Sequence, residues 1–210
     1  MRSPTTKYSW LVAILMIMVL AVVLFLNTLP NSGEALFGLE RGSKLPDFAV
    51  PLASGNLEGD ANVCQKEPCP SQSGVQPACS IRSAAVMNSC DLSRRPLVLT
   101  FIVDRGADCY PQVDRTERLK ARLKDVEFAT VFFTHKEREE VRRLVEARRW
   151  TQPVGIDADG VVTNRYGVGG CPTTIFVRPG GRVMVSKLGN LTERELELTA
   201  RKLLRTPASS

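Results

Sequence analysis

The side chains able to do covalent chemistry in this sequence are its cysteines. There are six, at positions 64, 69, 79, 90, 109 and 171, and all of them follow a long apolar segment near the N-terminus. An even number confined to one part of a chain suggests disulfides in an oxidising compartment, although six cysteines allow 15 pairings and spacing alone does not choose among them. Cys64, Cys69, Cys79 and Cys90 are separated by four, nine and ten residues. Structural zinc asks for paired Cys-x2–4-Cys knuckles, and only the first spacing comes near, so two disulfides are the favoured reading and zinc the alternative. Each loop closed in this way contributes about 2–4 kcal/mol to a stretch too polar to build its own core. Cys109 precedes Pro111, a residue suited to the first turn of a helix, and a sulfur near a helix N-terminus is favoured as a thiolate. Arg105 adds to that effect, while Asp104 and Asp108 oppose it. His135 is the sole histidine, which excludes a histidine-rich metal centre; no metal and no cofactor is expected.

The elements that must position these thiols alternate along the chain. Leu97 to Val103 (LVLTFIV) is a continuous apolar run, as in a strand buried on both faces. Gln112 to Lys124 reads as a helix with Val113, Thr116, Leu119 and Leu123 on one side, and Val126 to Phe133 as a second buried strand. Thr134 to Glu137 has the pattern of a capping box opening a helix with Val141, Leu144 and Val145. Val154 to Ile156 is a short strand before the Asp157-Ala-Asp-Gly160 turn. Thr174 to Val177 and Arg182 to Lys187 flank Pro179-Gly180-Gly181 as a hairpin. Thr192 to Glu195 is another capping box, which also accounts for the glycosylation-like Asn190-Leu-Thr192. Trp150 reads as core. The order implies a mixed sheet with helices on both faces. Residues 60–95 show neither helical nor strand periodicity over most of their length, and internal cross-links would explain so long an irregular stretch.

Trp10 to Leu26 is a run of seventeen apolar residues, spanning roughly 26 Å as a helix, close to a membrane's hydrocarbon core. Arg2 and Lys7 precede it and no basic residue follows until Arg41, so the N-terminus is expected in the cytoplasm and the rest outside. The expected organisation is a cytoplasmic 1–8, a transmembrane signal-anchor over 9–29, a linker over 30–43, a domain over 44–205 with the insert at about 60–95, and a tail over 206–210. A cleaved secretory signal is the competing reading, with only a poor cleavage site at Asn31 to Ala35. The net charge of +6 is spread through helices such as Lys136 to Arg149, interleaved with Glu, and no basic stripe with aromatics suggests nucleic acid.

From Gly42 to Leu204 the sequence resembles the TlpA-like, redoxin branch of the thioredoxin superfamily. Gly42-Ser-Lys-Leu-Pro-Asp-Phe48 is similar to that family's opening segment, Arg95-Pro96 with LVLTF to its central strand, and Trp150 to Gly160 to its "PVLLDPDG" stretch. The most specific match is Arg165-Tyr-Gly-Val-Gly-Gly-Cys-Pro-Thr-Thr-Ile-Phe176, similar to the family segment that carries a cis-proline. The resemblance implies an α/β thioredoxin-like fold, with a central mixed sheet flanked by helices, here with a cysteine-rich insert and an N-terminal transmembrane helix. It departs where the family has Cys-x-x-Cys. Gly106-Ala-Asp-Cys109 keeps a thiol only at the second position, and Cys171 stands before Pro172 where an apolar residue or Thr is usual. A copper-chaperone role, as in some related proteins, would need a Cys-x3-Cys that is absent.

Because the residue before the family's cis-proline faces the cysteine motif, the resemblance implies that Cys109 and Cys171 meet, with Pro172 completing the site. Three readings stay open: a relocated redox pair in a membrane-anchored, extracytoplasmic thiol–disulfide oxidoreductase; a structural disulfide in a catalytically silent binding module; or thiols otherwise engaged. Peroxiredoxin-like peroxidase chemistry is a lesser alternative. The partners implied are protein thiols or disulfides as substrates, a redox partner protein, and the membrane through 9–29. Nucleic acid is not among them.

Overall fold

The computed structural model describes residues 6–28, 38–66, 69, 76–104 and 108–205. The chain divides into two units, Met1–Ala35 and Leu36–Ser210. In the first, Thr6–Thr28 forms helix α1; its described side chains, Trp10 and Val12 to Val22, are exposed. Among the described residues no helix is long and apolar enough to cross a membrane. The expected span over 9–29 falls partly outside the described side chains, as do most of the linker and the tail over 206–210.

Among its described residues the second unit holds seven strands: β1 (Ala49–Pro51), β2 (Val86–Asn88), β3 (Leu97–Val103), β4 (Glu127–Phe133), β5 (Val154–Asp157), β6 (Thr173–Arg178) and β7 (Arg182–Leu188). Its helices are α2 (Ser89–Leu92), α3 (Tyr110–Arg122), α4 (Arg138–Arg148), α5 (Val161–Arg165) and α6 (Glu193–Leu204). Five strands form one sheet in the order β5-β4-β3-β6-β7. β3, β4 and β5 run parallel, while β6 is antiparallel to both β3 and β7. β3 lies at the centre because its side chains are apolar on both faces, which only a fully covered strand tolerates. Leu97, Leu99 and Phe101 pack with Phe48, Val50, Tyr166 and Ile175 on one face. On the other, Val98 packs with Leu119 of α3 and with Leu196, Ala200 and Leu203 of α6. Tyr166 is fully buried, and its hydroxyl donates to the Pro46 carbonyl at 2.6 Å. Burial, reinforced by the charge of Asp47, holds its pKa well above the usual 10.0, so it stays a donor.

The strand–helix–strand–helix–hairpin–helix order read from the sequence is present; β1 and α5 are additional to it, and there are three further differences. α3 begins at Tyr110 rather than Gln112, since Pro111 fits its first turn. The capping box expected at Thr134 to Glu137 does not form. Thr134 sits at the end of β4, where its hydroxyl donates to Asp104 at 3.1 Å and accepts the Lys136 amide at 3.0 Å. Helix α4 starts only at Arg138, after an N-cap Glu137 that makes no side-chain cap. The box at Thr192 to Glu195 does form.

The third difference is that the segment over 60–95 contains β2, α2 and a 3-10 turn at Ala78–Ser80, pieces of three or four residues that carry no detectable periodicity. β2 pairs with β1. Buried Asn88 then ties the segment together. Its amide donates to the carbonyls of Ala78 and Ile81 at 3.1 and 2.9 Å, and its side-chain oxygen accepts the Cys90 amide at 2.8 Å. β1 closes over β5 where a side chain would not fit: a Cβ on Gly155 would lie 2.3 Å from Cγ2 of Val50.

Candidate thiol–disulfide site

Strand pairing brings the two remote cysteines together. In the β3–β6 register Phe101 faces Thr173, so the chain just past β3 lies beside the residues just before β6. Cys171 occupies that place, and its peptide bond to Pro172 is cis. From β3 the chain returns into α3 with Cys109 as its N-cap residue. Cys109 and Cys171, 62 positions apart in sequence, are joined as a disulfide with Cα atoms 5.8 Å apart.

The two sulfurs have different surroundings. Cys109 is 1% exposed and packs in an apolar cluster with Ile102, Val113, Phe132 and Trp150. Cys171 is partly exposed. Its Sγ accepts the backbone N–H of Val103 at 3.1 Å, and it lines a cavity of about 460 Å³ together with Val103, Phe133, Asp159, Asn164 and Val168. Arg105 and Gly106, the positions read from the sequence as a thiolate-stabilising cation and as the missing first cysteine, lie outside the described residues. Within electrostatic reach of Tyr110, Lys136 pairs with Asp104 at 2.8 Å, and that hydrogen bond raises the lysine's pKa. Tyr110 stacks edge-on against Phe132 and Trp150, and burial raises the pKa of its phenol.

The Asp157-Ala-Asp-Gly160 stretch does more than turn the chain. Asp157 is fully buried and accepts the Val162 and Thr163 amides at 3.2 and 2.7 Å and the Thr163 hydroxyl at 2.6 Å, which fixes the start of α5. Asp159 accepts the Val161 amide at 3.2 Å; burial, with the neighbouring Asp157 charge, pushes its carboxyl pKa up. Acidic residues in a turn carry no sequence mark separating a cap from a site residue, so the place of Asp159 in the groove was not legible from sequence.

The other four cysteines lie away from this groove. Cys64 is joined to Cys69 and Cys79 to Cys90, with Cα separations of 5.4 and 5.6 Å. Among the described residues, one cluster gathers three potential metal donors within 4.8 Å, Asp47 with Cys79 and Cys90. The two sulfurs are bonded to each other, which leaves a single carboxylate, too few ligands for a metal. His135 is exposed and rests edge-on against Phe133, as ordinary surface. Trp150 is buried and donates its indole N–H to Asp114 at 2.7 Å.

A search of protein-family models finds no match, and no curated protein matches by sequence. Solved structures do match. A Chlorobium tepidum protein assigned as the thiol:disulfide interchange protein DsbE superposes with a TM-score of 0.60 at 19% identity, over 79% of this chain and 99% of that one. This domain has a thioredoxin-like fold. Peroxidoxin BcpB from Mycobacterium tuberculosis matches the thioredoxin-like domain with a TM-score of 0.56 at 16% identity, over 81% of this chain and 99% of that one. A secreted Mycobacterium tuberculosis disulfide oxidoreductase homologous to E. coli DsbE matches with a TM-score of 0.50 at 21% identity, covering 56% and 89% of the two chains. At these identities the likeness establishes the architecture, and the chemistry has to be argued from this chain's own residues.

Proposed function

We propose that the thioredoxin-like domain carries out thiol–disulfide exchange on protein substrates through the Cys109–Cys171 pair, regenerated by a redox partner protein. The observation that carries this reading is the asymmetry of the pair. A disulfide whose one sulfur borders an open groove while the other starts a helix can be attacked from outside and can release a stabilised thiolate within. The solved neighbours that are thiol:disulfide interchange proteins point in the same direction.

The test is differential alkylation with peptide mapping across a series of thiol redox buffers. The Cys109–Cys171 bond is expected to open at a milder potential than Cys64–Cys69 and Cys79–Cys90. Structural bridges lie below about −300 mV, and a Cys109–Cys171 bond that resists reduction with the other two would sink the exchange reading. A second reading, a stapled binding module, is favoured by one observation, the burial of Cys109 in an apolar cluster. Peroxidase chemistry would need an accessible thiolate at Cys109, which that burial disfavours.

Extracytoplasmic placement and anchoring through 9–29 belong to the same proposal and rest on the apolar run and flanking charges of the sequence. The full-length chain is expected to stay in the membrane pellet after alkaline carbonate extraction; release into the supernatant would remove the anchor.

A further inference from the structure

The geometry points to Cys171, not Cys109, as the sulfur that exchanges with the partner, so that every mixed disulfide forms on Cys171 and Cys109 serves as the internal leaving and resolving group. The inference rests on the exchange reading above and assigns the two sulfurs their parts within it. Three observations on different elements support it. The first is access. An incoming thiolate must approach one sulfur along the line of the bond it breaks, and only Cys171 borders the groove, whereas Cys109 is 1% exposed. The second is a donor aimed at the sulfur. The Val103 N–H points to Cys171 Sγ at 3.1 Å, and once the bond opens that contact becomes a charge-assisted hydrogen bond to a thiolate. The third is the position of the departing sulfur. Cys109 is the N-cap of a helix of 13 residues, where the positive end of the helix dipole favours negative charge.

The electrons balance in either direction. When the domain oxidises a partner, the partner thiolate attacks Cys171 Sγ. The Cys109–Cys171 bond breaks, and its electron pair leaves on Cys109 Sγ as a thiolate that then takes a proton. The partner's second thiolate attacks its own sulfur in the mixed disulfide and displaces Cys171, so the partner gains a disulfide and the domain holds two thiols. When the domain reduces a partner, Cys171 thiolate attacks the partner's disulfide and expels one partner thiolate. Cys109, deprotonated, then attacks Cys171 Sγ and expels the other. Cys171 carries the covalent intermediate in both cases. The groove beside it combines apolar Val103, Phe133 and Val168 with polar Asp159 and Asn164, and so offers both packing and hydrogen-bond partners to a cysteine-bearing peptide segment.

The probe is oxidised glutathione, a cysteine tripeptide disulfide, added to reduced full-length chain and read by peptide mapping. Cys109→Ser is expected to accumulate a stable glutathione adduct on Cys171, and Cys171→Ser to lose adduct formation at Cys109. The reverse pattern, or equal labelling of the two sites, overturns the inference and leaves the exchange reading standing. Failure of both variants to form an adduct also overturns it, and the redox titration of the wild type then shows whether the exchange reading falls with it. Wild-type chain quenched with acid in mid-reaction provides a measure free of folding defects in the variants. There, the transient adduct must sit on Cys171.

Discussion

Replacing Asp157 with alanine is expected to destabilise the domain by about 3–5 kcal/mol, because it strips partners from several buried donors at once. The carboxylate is fully buried and accepts two amides and a hydroxyl, at 2.6 to 3.2 Å. Each donor left without a partner loses about 1–3 kcal/mol. Two of the three are amides of the first turn of α5, which have no partner within the helix itself. Alanine also leaves a small void between β5 and α5. The consequence reaches the groove, since Asp159, Gly160, Thr163 and Asn164 all line it. Urea unfolding of wild type and variant at one pH measures the effect. A loss below about 1 kcal/mol would mean that water enters and satisfies the freed donors, and that Asp157 is not what holds α5 in place.

The second large effect is on the disulfide itself. A Cys109→Ala/Cys171→Ala double variant is expected to lose all exchange activity and up to about 4 kcal/mol of stability. The stability term comes from the chain closed by the bond. Cys109 and Cys171 lie 62 positions apart, and constraining a loop of that size removes about 4 kcal/mol of unfolded-state entropy. By the same relation the Cys64–Cys69 bridge, with a separation of 5, contributes about 2 kcal/mol. In a domain of this size 4 kcal/mol corresponds to a fall in Tm of about 8–16 °C. Far-UV circular dichroism should still show native structure, because a redox-active pair requires that the open form remain folded. A double variant that cannot fold at all would favour the staple reading. An unchanged Tm would mean that residual structure already holds these two segments close in the unfolded chain, so that the bond restrains nothing further.

Much of the architecture was legible because it is encoded locally. LVLTFIV is apolar at every position but Thr100, and it became the central strand. The hairpin around Pro179-Gly180-Gly181 and the Thr192 to Glu195 cap use turn and cap chemistry that acts within a few residues. The capping box at Thr134 failed although its pattern is as good. Asp104, thirty positions earlier at the end of the neighbouring strand, takes the Thr134 hydroxyl, and no local pattern can register that competitor. β1 and β2 went unseen for a related reason. They are three-residue strands held by each other and by Asn88, too short to show a period of two.

The sequence by itself determined the order of β3 to β7 and of α3, α4 and α6, because periodicity and capping are short-range properties. It also singled out the cysteines as the candidate residues for covalent chemistry, since only one histidine accompanies them. Its resemblance to known sequences pointed to Cys109 and Cys171 as partners. What only the tertiary structure decided is how the two sulfurs differ. Exposure and hydrogen bonding depend on what other segments bring: Cys109 is buried within the cluster of Ile102, Phe132 and Trp150, while Cys171 packs against that cluster partly exposed and meets the Val103 amide and the groove. Those neighbours arrive through β3–β6 and β3–β4 pairing between residues far apart in sequence, and long-range pairing leaves no trace in the composition around either cysteine.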